Sequence, residues 1–107
     1  MGRSDRRQVR NRLKVILVHL LKWQYQIEHR SISWKTTINT QRDKLEMVLS
    51  DSPSLRRQVA VLLAEAYPRA RRDAAAEMDL IPAAARKLPE ACPFTVDQVL
   101  DDEFFPA

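Results

Sequence analysis

The chain has one cysteine and one glycine in 107 residues, and its longest apolar run, Val15 to Leu21, is only seven residues long and contains His19. A lone Cys92 excludes an intramolecular disulfide and a thiolate metal cage, and fits a reducing, cytoplasmic setting. A lone glycine excludes a glycine-rich phosphate loop. The apolar run falls far short of the ~20 residues that span a bilayer and lacks a small-residue cleavage site, so no membrane segment or signal peptide is predicted. No histidine pair has the i,i+4 spacing of a helical zinc site, so no metal or other cofactor is expected.

Ala, Leu, Arg, Glu and Gln are abundant; these side chains lose little freedom in a helix. The fold class is therefore all-α: a small bundle of three principal helices and a short-helix, proline-rich C-terminal tail, forming a single helical domain over 1–107. Helix one is predicted over 4–30, with Ser4 as its N-cap and Val9, Leu13, Ile16, Leu20, Trp23 and Ile27 recurring at steps of four and three. Leu17, Val18, Leu21 and Tyr25 widen that stripe, as in a central helix touched by several neighbours. Helix two is predicted over 33–49, capped by Ser33, with Arg42 where an apolar residue is expected. Helix three is predicted over 53–79, opened by Ser52-Pro53 and kinked or restarted at Pro68. The acidic tail, 80–107, holds one short helix at 96–100, where Thr95 and Gln98 form a capping box.

The net charge of +4 is unevenly distributed: residues 1–30 carry +6, residues 31–88 carry +3 and residues 89–107 carry −5. A basic head and an acidic tail attract each other. Basic clusters also mark nucleic-acid contact, for which Arg3, Arg6, Arg7 and Arg10 are the binding candidates.

"MGRSDRR", "HLLKWQYQ", "HRSISWKTTI", "DSPSL", "AYPRARRDAAAE" and "CPFTVDQVLDDEFFP" occur in this order along essentially the whole chain. In this combination the sequence resembles a bacterial family known as domain of unknown function twenty-nine. The resemblance implies a small, soluble, all-helical protein without a settled activity. It also implies a further N-terminal segment, helical and acidic, ahead of "MGRS". Without that segment the face of helix one bearing Leu13, Leu17 and Leu21 is expected to lie uncovered, and the chain to form a two-fold homo-oligomer through it.

Both histidines and both tryptophans fall between His19 and Trp34. As the corner of a helical hairpin, this stretch predicts Trp23 and Trp34 as packed aromatics, with Trp23, Arg30 and Trp34 as further binding candidates. Arg42 is predicted to lie beside His19, where a positive neighbour would keep the imidazole neutral and able to act as a base. The structural reading pairs Arg42 with Glu46 one turn on. A sharper enzymatic reading rests on Arg12 and His19, whose spacing resembles that of HEPN-type helical ribonucleases. The catalytic candidates are thus Arg12, His19 and Arg42. On one straight helix the Arg12 and His19 Cα atoms stand about 10.5 Å apart, so a composite site would need a second subunit. The balance favours a non-enzymatic helical module that binds a helical protein partner or itself, with a nucleic-acid-directed protein as the alternative.

Overall fold

Helix α1, Arg3–Tyr25, is apolar around most of its circumference, and the rest of the molecule is arranged to cover it. The structure is a computed structural model and describes residues 3–107, the side chain of Arg3 excepted. The pattern placed the first residue of this helix at Ser4; Ser4 instead sits inside the first turn. At the other end the backbone leaves the helix at Gln26 and tightens into a 3₁₀ turn, Ile27–His29. Arg30 folds back so that Nε donates to the Trp23 carbonyl at 2.8 Å. That carbonyl is one of the last four of the helix, which have no partner within it, and this is why the helix closes before residue 30.

Helix α2, Ile32–Asp51, is capped by Ser31 rather than by Ser33. Ser31 is extended, and its Oγ accepts a hydrogen bond from the Trp34 N–H at 3.2 Å. A 3₁₀ turn, Pro53–Gln58, follows and leads into helix α3, Val59–Glu77, which passes through Pro68 without a restart. Ser52 makes no side-chain cap; its hydroxyl donates to Asp5 Oδ2 of α1 at 3.5 Å. Helix α3 ends in a paired-bond cap, the Leu80 N–H donating to Ala75 O and the Asp79 N–H to Ala76 O, both at 3.0 Å. Asp79 takes the left-handed conformation, φ 53°, that this cap usually assigns to glycine.

Three ion pairs advance together along α1 and α3: Arg10 with Glu65 at 3.2 Å, Lys14 with Asp73 at 3.3 Å and Lys22 with Glu77 at 3.0 Å. The two helices therefore run parallel, and α1 packs against both α3 and α2. Val9, Leu13, Ile16, Leu17, Leu20 and Leu21 meet Ile38, Leu45 and Leu49 of α2 and Leu62, Tyr67, Ala70 and Ala74 of α3 in one core. Leu13, Leu17 and Leu21, expected to lie uncovered, are fully buried. The tail folds back onto this core as well: helices α4, Pro82–Ala85, and α5, Val96–Leu100, flank Leu88 and Phe94, which join it together with Val99, and α5 touches both α1 and α3. Thr95 and Gln98 form the full capping box at the start of α5, with bonds of 3.1 and 3.0 Å. Among the described residues there is no strand, and no helix is long and apolar enough to cross a membrane.

Candidate functional site

Among the described residues Arg42 is the one buried charged side chain, 2% exposed on α2. Its guanidinium faces the tail: Nε donates to Val99 O at 2.8 Å, Nη2 to Gln98 O at 3.2 Å and to Phe104 O at 3.0 Å, and Nη1 to Asn39 Oδ1 at 3.0 Å. It also lies 5.3 Å from the centre of the Phe105 ring. Burial pulls the guanidinium below its ordinary pKa, with Asp102 and then Asp101 acting in the opposite direction. The helix pairing expected for it is not made, because Glu46 accepts from Arg56. Nor does Arg42 turn to His19, whose Nδ1–H donates to Val15 O of its own helix at 2.9 Å.

Arg12 is engaged within α1 and across to α2, donating to Gln8 Oε1 at 3.4 Å and Gln41 Oε1 at 3.0 Å. Among the described residues no hydrogen bond joins Arg12, His19 and Arg42 to one another. The three catalytic candidates thus occupy three separate networks, and none has a nucleophile or a second acid–base group as its partner.

The two tryptophans are half-buried rather than part of the closed core. Trp23 stacks at 5.2 Å on Phe105 from the tail and carries the Arg30 guanidinium at 4.9 Å on its ring. Lys35 lies 4.9 Å from the Phe105 ring, and Lys22 lies 4.8 Å from that of Trp34. Arg30 also reaches Pro106 O at 3.4 Å. The aromatic corner is therefore a clasp for the chain end, built from cations resting on rings. Sequence reasoning missed its other half, and the available signal was the pair Phe104-Phe105 in an otherwise acidic segment. Cys92 is half-buried and its Sγ–H donates to Phe94 O at 3.4 Å. Burial pushes its thiol pKa up.

Two features of the described surface stand out. One is a cleft between α1 and α3, about 260 Å³, lined by Arg10, Asn11, Lys14, Glu65, Ala66 and Arg69. It continues through Arg10 and Glu65 into a second hollow of about 240 Å³ that adds Arg6 and Arg7. Arg6, Arg7 and Arg69 are exposed, and among the described residues none of them has a carboxylate within ion-pair distance. The side chain of Arg3, predicted to join this group, lies outside the described residues. The other surface is the molecular end where α1 stops, α2 starts and α3 stops. There Tyr25, Ile27, Ile32 and Ile81 are 45, 63, 83 and 68% exposed. Among the described residues no group of His, Cys, Asp and Glu is placed to hold a metal ion.

These features define a small all-α protein built around one central helix. The chain belongs to the family described as Domain of unknown function DUF29, whose family model matches residues 1–105. No curated protein and no solved structure matches it.

Proposed function

We propose that this protein is a cytoplasmic helical interaction module that presents its apolar end to another protein, in the first instance a second copy of itself. The observation that supports this reading is the exposure of Tyr25, Ile27, Ile32 and Ile81 at one end of the bundle. Elsewhere among the described residues only Met47 and Val61 are large, apolar and exposed. The core closes without these four residues, so their cost in water has no compensation inside the chain. Removing such surface from water stabilises an interface by about 25 cal/mol per Å². A patch shared by two copies forms a two-fold contact most simply, since each copy offers the same residues to the other. The test is the mass in solution by light scattering across a dilution series. The intact chain should dimerise, and the double substitution Ile27→Asp/Ile32→Asp should yield a monomer of unchanged helicity. A wild-type monomer at every concentration would overturn the self-association.

A second reading, a nucleic-acid-directed protein, draws support from a different feature, the cationic cleft between α1 and α3. Within it, binding is better supported than cleavage, because Arg12 and His19 are each held by neighbours on or beside their own helix.

A further inference from the structure

We infer that the α1/α3 cleft is a phosphate-backbone contact surface for double-stranded nucleic acid, an inference that rests on the second reading above and assigns it a site. Arg6, Arg7, Arg10 and Lys14 fall within about a 100° arc of α1, since 3.6 residues make one turn. Arg69 adds a fifth cation from α3, across the cleft. Two carboxylates stand against these five: Glu65, which takes Arg10, and Asp73, which takes Lys14. The surplus charge belongs to Arg6, Arg7 and Arg69, so the occupant must bring several anionic groups.

The character of the lining selects among anionic partners. A protein partner held tightly enough to matter needs buried aromatic or aliphatic anchors at the centre of its interface. Here Ala66 is the one apolar side chain in the lining. Single strands are gripped by aromatic side chains on which bases stack, and no aromatic lines the cleft. What remains is a polyanion whose charges face outward and need no anchor. Duplex nucleic acid, with one charge per about 1.7 Å of axis, is the densest such partner. Four of the five cations are arginines, whose planar forks match phosphate oxygens in pairs. Contacts of this kind position a duplex without reading its sequence.

The experiment is fluorescence anisotropy with a labelled mixed-sequence duplex of about 16 base pairs, once as DNA and once as RNA, titrated from about 50 mM salt upward. Both duplexes should bind with a linear fall of log affinity against log salt. Arg6→Glu/Arg7→Glu/Arg69→Glu should weaken binding about tenfold or more and flatten that slope by about 2–3, because each neutralised phosphate contributes about 0.9. A variant of the same net charge, Lys44→Glu/Arg86→Glu/Lys87→Glu, should stay within about twofold of wild type, since these exposed cations lie outside the cleft. Circular dichroism confirms that both variants fold. Equal losses in the two variants would remove the cleft as the site while leaving nucleic-acid binding intact. No duplex binding at the lowest salt would end the second reading itself. Polyglutamate binding as tightly as the duplexes would make the cleft a site for acidic polypeptide and overturn the assignment.

Discussion

The body of the protein and its C-terminal segment are held by different forces. In α1, α2 and α3 the backbone satisfies itself through helical hydrogen bonds, and apolar side chains meet between the helices. Residues 80–107 contain only two short helices, so many of their carbonyls have no partner in the same segment. Side chains from the body supply the donors. Arg42 takes the carbonyls of Gln98, Val99 and Phe104, and Arg71 takes those of Arg86 and Leu88. Tyr67 takes Pro89 and Arg30 takes Pro106. A buried carbonyl left without a donor is costly, and arginine, with five N–H groups in a fixed fork, meets several at once. The arginine content of this chain is therefore partly an architectural requirement: an irregular tail cannot be buried without long donors reaching across to it.

The largest expected effect separates the two regions directly. Leu17→Ala, in the centre of the body, should lower stability by about 3–5 kcal/mol, the range for large-to-small changes in a packed core. Chemical denaturation should show this as one global loss. Arg42→Ala should cost less, about 2–3 kcal/mol, from hydrogen bonds to a charged donor. Its signature should be local: faster hydrogen exchange across residues 94–107 and a red shift of Trp23 fluorescence as Phe105 leaves, with α1 still protected. If Arg42→Ala instead unfolds the chain as globally as Leu17→Ala, the distinction between body and tail fails.

The smallest effect sharpens the comparison through pH. Tyr67 is buried and its hydroxyl donates to Pro89 O at 2.5 Å. Burial, chiefly, raises its pKa from 10.0 to about 12. Between those values the unfolded chain has released the phenolic proton and the folded chain retains it, so stability falls as pH rises. This contribution is complete below pH 10 and is lost at about 1.4 kcal/mol per pH unit toward 12. Tyr67→Phe should cost about 1 kcal/mol at neutral pH and abolish that alkaline slope. Denaturation midpoints between neutral pH and pH 12 check both, and an unchanged slope in the variant would assign the alkaline loss to another group.

Much of the body was legible because its information is periodic. Val9 to Leu20 recur at helical steps, and Thr95 with Gln98 carries a capping box within four residues of sequence. Arg42 was visible as an anomaly, a charge on an apolar stripe, but its partner was not. Periodicity relates residues within one helix, whereas Val99 and Phe104 stand 57 and 62 positions away. The same limit misplaced the tryptophans, which share the helical period of the core yet lie at its rim, Trp23 against Phe105 and Trp34 against Lys22. It also made Leu13, Leu17 and Leu21 look uncovered, because which residues of other elements join them in the core is not written in the period of one helix.

The sequence by itself determined the helical class, the central role of α1, the capping box at Thr95 and Gln98 and the uneven distribution of charge, since each depends on residues within a few turns of one another. The tertiary structure alone decided which arginines face solvent and which donate to the tail. Arg6, Arg7 and Arg69 face solvent, while Arg30, Arg42 and Arg71 hold the tail. The side chain is the same in all six. What differs is whether an irregular backbone, with carbonyls in need of a donor, is folded against it.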